Sequence, residues 1–193
     1  MQLTPILLTI TSLLTGTIAS GGSKGKGTFH PPKAKSFLDI DFYIGWPTNA
    51  TTASGLVTIT PNAAGTVKGG FNGRVVENVT ASVERFLLPP GTGPGEYSEY
   101  VNEIVFANEA EETILAKMNG VASYANGGLH GFAHIRLETA IEKLKWINYG
   151  MFVAEWVGNT NSGTGNAKLQ VFEIASGGRT DGKPIPAIEM GKE

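Results

Sequence analysis

The sequence predicts an all-β protein of one domain, in which antiparallel strands either pack as a sandwich or close as a barrel. Stretches of alternating apolar and polar residues recur along most of the 193-residue chain, which is the pattern of strands with one face in water. Glycine occupies 26 positions and charged residues only 17% of the chain, a composition that suits turns and short strands and fits coiled coils, long solvated helices and charged disordered arrays poorly. Strands do not alternate with long helices, so a parallel sheet is not expected.

The first predicted strand runs from Leu38 to Ile44 and ends at Trp46-Pro47. Turn signals such as Pro61-Asn62 and Asn126-Gly127-Gly128 separate the strands that follow. The further candidate strands cover residues 56–60, 66–71, 74–76, 79–88, 97–107, 113–124, 129–137, 145–157 and 168–174. One short helix is expected at residues 138–144. A barrel of about eight or nine such strands can hold a pocket for one small ligand.

The first 35 residues have the features of a signal peptide followed by a flexible leader. An apolar run from Leu3 to Leu14, followed by small residues up to Ala19, predicts a cleaved signal peptide over residues 1–19 and a secreted or secretory-pathway protein. The run is too short for a membrane span, and a buried N-terminal strand is the alternative. We expect a flexible basic leader at 20–35, the barrel domain at 36–174 and a C-terminal tail at 175–193.

Secretion has two consequences for stability and modification. The chain contains no cysteine, so its hydrophobic core must stabilise it without disulfides. Acceptor sequences for N-glycosylation occur at Asn49 and Asn78, and we expect both on solvent-facing turns.

The sequence lacks the motifs of several common kinds of functional site. There is no cysteine nucleophile and no serine in a Gly-x-Ser-x-Gly turn, and the glycine-rich stretches match no nucleotide-binding fingerprint. His130 and His134 lie in one predicted strand, roughly 13 Å apart at ~3.3 Å per residue, so no metal site is expected. The basic residues of the leader leave an acidic remainder, which makes nucleic acid an unexpected partner.

Four predicted strand faces mix apolar residues, aromatic in three of the four, with uncharged or basic polar groups, which is typical of a small-molecule pocket. These faces consist of Tyr100, Asn102, Ile104 and Phe106; Leu115, Lys117 and Asn119; His130, Phe132, His134 and Arg136; and Trp146, Asn148, Phe152 and Trp156. The alternative is that these polar residues face solvent and that the opposite faces, with Val101, Val105 and Val153, form the core.

Some short motifs carry a resemblance to a known family. The glycine-rich stretch Gly65–Gly73, the sequences Trp146-Ile147-Asn148 and Phe152-Val153-Ala154, and the closing strand Leu169–Ile174 resemble a family of small calycin-like β-barrels of largely unassigned function. The similarity covers about residues 36–174. The family's acidic dipeptide before the central strand appears here as Glu111-Glu112. With its signal peptide, sequons and lack of cysteine, the chain is also similar in character to fungal hetero-Diels-Alderases of tropolone sesquiterpenoid biosynthesis.

The resemblance implies a calycin-like barrel that acts as a cofactor-free cyclase of fungal secondary metabolism, joining a tropolone quinone methide to a humulene-type terpene. Under this hypothesis His134, Arg136 or Lys117 polarises the carbonyl oxygen of the quinone methide. The tropolone oxygens would be held by Asn102, Asn119 and Asn148, and the apolar wall for the terpene would comprise Tyr100, Phe106, Phe132, Trp146, Phe152 and Trp156. Barrels of this kind often associate through their outer surfaces, so a homodimer is a further expectation.

Two other functions remain open at this stage. The same barrel could serve as a lipocalin-like carrier that holds a small hydrophobic ligand without changing it, or as a structural or effector protein without a cavity. Polar groups that converge on one spot of the pocket would favour the enzyme, and polar groups scattered around its rim would favour the carrier.

Overall fold

The computed structural model describes residues 28–87, 96–125, 128–159 and 165–185, which form ten strands and one 3₁₀ helix. The predicted signal peptide, residues 20–27 of the predicted leader and residues 186–193 of the predicted tail lie outside this part of the chain. The strands are β1 (Lys33–Ile44), β2 (Thr48–Thr52), β3 (Gly55–Gly69), β4 (Gly73–Val75), β5 (Ala81–Phe86), β6 (Glu96–Ala107), β7 (Thr113–Ala125), β8 (Gly128–Thr139), β9 (Phe152–Asn159) and β10 (Gly165–Ala175). The 3₁₀ helix, Glu142–Tyr149, lies between β8 and β9.

The strands form a closed antiparallel barrel, one of the two arrangements that the alternation of apolar residues allows. β1 pairs with β10, and the ladder continues through β9, β8 and β7 to β6. The place beside β6 is shared by two short strands, β4 and β5. Each of them pairs with β6 on one side and with β3 on the other. β3 then pairs with β1, which closes the ring, while β2 extends the same edge of β3 as a hairpin. The all-β, calycin-like barrel with one short helix is therefore confirmed.

The barrel has two different ends. At the helix end, defined by the 3₁₀ helix, the interior is filled by fully buried side chains such as Phe106, Leu137 and Phe152. Leu144 and Ile147 of the helix are buried against this core. At the opposite end, which we call the loop end, strands β5, β7 and β9 finish and strands β6, β8 and β10 begin. Apolar burial at the helix end stabilises the fold at roughly 25 cal/mol per Å² of surface removed from water.

The predicted strand 145–157 is wrong in its first half. Residues up to Tyr149 belong to the 3₁₀ helix, and β9 begins at Phe152 after Gly150. The predicted helix at 138–144 is correspondingly misplaced, because Glu138 and Thr139 still belong to β8. The bulky residues of this segment favour a strand locally, but their spacing buries Leu144 and Ile147 together on one side of the helix, and this packing decides the structure.

β3 is one long strand, although Pro61-Asn62 predicts a break. On one edge of β3, β2 pairs as far as Ile59 and β1 pairs from Asn62 onward. Pro61 therefore falls in the gap between two partners, where its missing N–H interrupts no ladder, and its carbonyl accepts a hydrogen bond of 2.8 Å from the Gly45 N–H. The same arrangement explains β2, a strand that the sequence pattern did not predict.

The two ends of the described domain lie against each other. β1 begins at Lys33, within the segment predicted as leader, and Phe29 forms a bridge with Arg179. The His30 N–H donates to the Gly178 carbonyl at 2.8 Å. Within the described ranges, no helix is long and apolar enough to cross a membrane.

Candidate functional site

The loop end of the barrel contains a cavity of about 350 Å³, within the ~300–1,000 Å³ range of small-molecule sites. Aromatic and aliphatic side chains form most of its wall. The apolar lining consists of Phe42, Ile44, Pro47, Leu56, Phe86, Tyr100, Ile104, Met118, Tyr124, Leu129, Trp156, Ala167 and Leu169. The polar lining consists of Asn49, Thr58, Thr60, Glu84, Asn102, Asn159 and Asn166. Large side chains therefore fill the barrel only toward the helix end.

Two glycines on neighbouring strands give the wall its shape. A Cβ on Gly120 of β7 would lie 2.5 Å from the Tyr100 hydroxyl, and a Cβ on Gly131 of β8 would lie 2.4 Å from Trp156 Nε1. The two rings consequently lie against bare backbone on the inner surface of these strands. Side chains at either glycine would push the rings into the space that forms the cavity.

Tyr100 and Trp156 act as a hydrogen-bonded pair on this wall. Trp156 Nε1–H donates to the Tyr100 hydroxyl at 2.7 Å, and the rings meet edge to face with centroids 5.8 Å apart. Burial, opposed by the bond from Trp156 and assisted by the charge of Glu84, raises the pKa of Tyr100 to about 12. The phenol therefore keeps its proton at neutral pH. Since the indole bond uses an acceptor site of the oxygen, the O–H remains a donor.

Glu84 of β5 is the centre of a second polar group on the wall. Its Oε1 accepts hydrogen bonds from the Ser98 hydroxyl and the Tyr124 hydroxyl. Ser98 is fully buried, and the Tyr124 ring packs on Phe86 with centroids 5.5 Å apart. Glu84 is directly opposite Tyr100 in the pairing of β5 with β6, so the carboxylate and the Tyr100–Trp156 pair share one region of the wall.

Amide side chains form the remaining polar part of the cavity. Asn102 Oδ1 accepts from Nδ2 of the fully buried Asn62 at 2.9 Å, which ties β6 to β3 across the interior. Asn49 Oδ1 accepts from the Thr58 hydroxyl at 2.8 Å. These bonds fix the orientation of both amides before any ligand binds.

The sequence placed some of the predicted residues correctly on the inner face. Tyr100, Asn102 and Trp156 line the cavity. Phe106 and Phe152 also point inward, but both are fully buried in the core at the helix end and do not line the cavity.

The prediction that β7 and β8 turn their polar faces inward is wrong. Their inward side chains are smaller or wholly apolar, for example Ala116, Met118, Ala133 and Ile135, all buried. The outward residues are Lys117, Asn119, His130, Phe132, His134 and Arg136. The inner surface must remain thin where the Tyr100 and Trp156 rings lie on it, so glycines face inward at those two positions, Gly120 and Gly131.

The outward residues of β7 and β8 have partners outside the barrel. Lys117 Nζ and Arg136 Nε lie 3.6 and 3.1 Å from Glu138 Oε1. Asn119, Phe132 and His134 contribute to a shallow outer groove together with Val83, Val101, Val121 and Val153. These groups cannot contact a molecule inside the cavity.

Trp146 and Asn148 lie at the helix end rather than on a strand. Trp146 packs edge to face on Phe37 with centroids 5.4 Å apart. Asn148 Oδ1 accepts from the Thr139 N–H at 2.7 Å, and its Nδ2 donates to the Thr139 carbonyl at 2.9 Å. Both residues fasten the 3₁₀ helix to the barrel, far from the cavity, so the prediction that they line it is wrong.

The two sequons occupy different settings. Asn49 lies in β2 and lines the cavity, rather than lying in a turn. Asn78 lies in an exposed turn with φ of 56°, as predicted. Glycosylation at either position stays a prediction.

The described ranges contain no group of three or more His, Asp or Glu side chains that could hold a metal ion. His130 instead lies within 2.8 Å of the Glu155 carboxylate on the outer surface.

Sequence reasoning missed Glu84, Ser98 and Tyr124. The signal was present, because Ser82, Glu84 and Phe86 alternate with the outward-facing Val83 and Arg85 in one short strand. That alternation indicates that Glu84 faces inward. It does not indicate that the Ser98 hydroxyl of β6 and the Tyr124 hydroxyl of β7 donate to its carboxylate.

Comparison with known proteins supports the fold. No family model matches the chain, and no curated protein matches it. A conserved protein of unknown function from Rhodopseudomonas palustris superposes with a TM-score of 0.63 at 18% identity, over 76% of this chain and 99% of that one. A β-barrel-like protein from Acinetobacter baumannii superposes with a TM-score of 0.59 at 13% identity, over 76% and 98%.

A looser superposition relates the chain to an enzyme from Penicillium herquei, with a TM-score of 0.48 at 13% identity over 76% of this chain and 96% of that one. At this level of similarity it carries no argument about activity. The comparisons thus show a shared barrel, and the function has to be argued from the cavity.

Proposed function

We propose that the protein is an enzyme that binds a small, mainly apolar substrate in the cavity of the barrel and promotes its cyclisation without a cofactor. The observation that carries this proposal is the convergence of Glu84, Tyr100, Tyr124 and Trp156 on one region of an otherwise apolar wall. A carrier needs the apolar wall alone, whereas catalysis needs polar groups aimed at one reacting centre.

The Tyr100 hydroxyl suits the polarisation of a carbonyl oxygen. A phenol that stays protonated can donate to an oxygen on which negative charge develops, and the bond from Trp156 strengthens this donation by polarising the hydroxyl. Tyr100 thereby takes the role that the sequence suggested for His134, Arg136 or Lys117. A cycloaddition needs no nucleophile, and the apolar wall could supply several of the ~7–11 kcal/mol available from holding two reactants in a reactive orientation.

The finer proposal is a hetero-Diels-Alder reaction between a tropolone quinone methide and a humulene-type terpene. A hydroxymethyl precursor loses water when its ring hydroxyl gives a proton to a base and its C–O bond breaks, with a proton returned to the leaving hydroxide. The alkene of the terpene then adds across the quinone methide, forming one C–C and one C–O bond. Glu84 is the carboxyl group in the wall that suits both proton transfers. The resemblance of the sequence supports this substrate pair.

The carrier is the second candidate, and the size of the cavity favours it. A volume of about 350 Å³ is near the lower end of the ligand-pocket range and suits one small molecule more readily than two. A carrier would bind the terpene or the tropolone partner and release it unchanged.

The test is to incubate the protein with a hydroxymethyl tropolone and a hydroxylated humulene and to measure products by mass spectrometry. We expect a product whose mass is the sum of the two precursors less one water. Tyr100→Phe should lower the initial rate about 100-fold, the lower end of the ~100- to 1,000-fold loss that follows removal of one oxyanion donor. Tyr43→Phe is the matched control, because Tyr43 lies on the outer face of β1.

Binding of either precursor without any product would favour the carrier. An unchanged rate in Tyr100→Phe would remove this hydroxyl from the mechanism.

A further inference from the structure

Glu84 is the one charged side chain among the described residues that line the cavity. Lysine, arginine and histidine do not occur in that lining. A carboxylate next to an apolar cavity is costly unless donors or a cation compensate it. The protein supplies such donors to one side of the carboxylate.

Both donors reach the same oxygen. Ser98 and Tyr124 each donate to Oε1, and no described residue donates to Oε2. Ser98 is fully buried in β6, and Tyr124 is held by its ring contact with Phe86. The two hydroxyls therefore fix the carboxylate and leave its second oxygen as an acceptor without a protein partner in the described part of the chain.

We propose that Glu84 makes the cavity selective for apolar molecules that end in a hydrogen-bond donor, an alcohol or a protonated amine, over molecules that end in a carboxylate. This inference rests on the same cavity as the proposed function. An alcohol or ammonium group can donate to Oε2, while a ligand carboxylate meets a like charge in surroundings of low dielectric constant, where repulsion is stronger than in water.

The wall around Glu84 supports this selectivity. Thr58 and Tyr100 flank it in the pairing of β5 with β3 and β6, so the neighbouring groups are hydroxyls rather than cations. A ligand carboxylate would have no positive partner in the described lining. An ammonium group would neutralise the charge of Glu84. It would replace the lysine or arginine that normally pairs with a buried carboxylate.

The experiment compares three ligands that share one alkyl chain: decanol, decylamine and decanoate, each titrated at neutral pH by calorimetry. We expect the wild-type protein to bind decanol and decylamine at least about tenfold more tightly than decanoate. Glu84→Gln keeps an amide oxygen for Ser98 and Tyr124 but removes the charge, so decylamine should bind about tenfold more weakly and decanoate more tightly. Glu99→Gln, on the exposed face of β6, should keep the wild-type preference.

Equal affinities for the three ligands in the wild-type protein would overturn the inference. This comparison uses the wild-type protein alone, so it does not depend on whether Glu84→Gln folds. An unchanged preference in Glu84→Gln would overturn it as well. Binding of all three without preference leaves the proposed enzyme intact, whereas the expected preference in a protein that forms no cyclised product leaves the selectivity intact and contradicts the enzyme. Failure of all three ligands to bind overturns this inference alone, because the proposed enzyme has different substrates and its own product assay.

Discussion

The hydroxyl of Tyr100 determines much of what the cavity can do, because it is the polar tip of a buried ring held by one indole. Its pKa of about 12 exceeds the ordinary value of 10.0, chiefly through burial. In the folded state the neutral phenol is therefore favoured more strongly than in the unfolded state. This preference contributes to stability fully below pH 10, and the contribution is lost as the pH rises toward 12.

We predict that the wild-type protein loses about 2 kcal/mol more of its unfolding free energy than Tyr100→Phe between pH 10 and pH 12, because the raised pKa of Tyr100 favours the protonated folded state in that range. Urea unfolding at a series of pH values measures this difference. The other ionisable groups are common to both proteins, so the difference between the two curves reports on Tyr100. Tyr43→Phe should follow the wild type, and parallel curves for wild type and Tyr100→Phe would contradict the shifted pKa.

At the same scale, sequence predicts only part of the wall. Tyr100 and Asn102 lie inward because their strand alternates them with exposed residues such as Val101. In β8 the bulkier residues, including Phe132, face outward, and Gly131 faces inward beneath Trp156. The size of a side chain does not predict whether it faces inward where a ring from another strand fills the interior beside it. The position of that ring depends on the tertiary structure and cannot be predicted from the strand's own sequence.

Among the elements, the 3₁₀ helix separates structural from functional residues most clearly. Its side chains Leu144 and Ile147 join the core, and Asn148 binds both backbone groups of Thr139 at the end of β8. The helix therefore closes one end of the barrel and has no part in the cavity at the other. The sequence indicated a helix nearby but not this register, because Trp146, Ile147 and Tyr149 have strand propensity and only packing against β8 decides between the two structures.

We predict that Asn148→Ala lowers the unfolding free energy by about 1 to 3 kcal/mol, since it leaves the Thr139 backbone groups without their partners. Ligand affinity measured on the folded variant should equal that of the wild type, because the change lies at the helix end. Thermal unfolding and decanol titration measure the two quantities. A variant of normal stability with weakened ligand binding would return Asn148 to the site.

For the whole molecule, the essential feature is the difference between its ends. The antiparallel strands follow from residue alternation, and the two superposed proteins share the barrel at 18% identity or less. The location of the cavity does not follow from alternation, because it requires knowing which end the helix fills. Apolar groups also collect in the outer groove beside Phe132 and His134, so a small hydrophobic molecule has two candidate places to bind.

A crystal of the protein soaked with a brominated aryl alcohol, with the bromine located by anomalous scattering, tests the central claim most directly. The account predicts a bromine peak inside the loop end, within contact distance of Tyr100, Met118 or Trp156, with the ligand hydroxyl at Glu84. A peak over Phe132 and Val121 on the outer surface, with the interior empty of ligand, would contradict it.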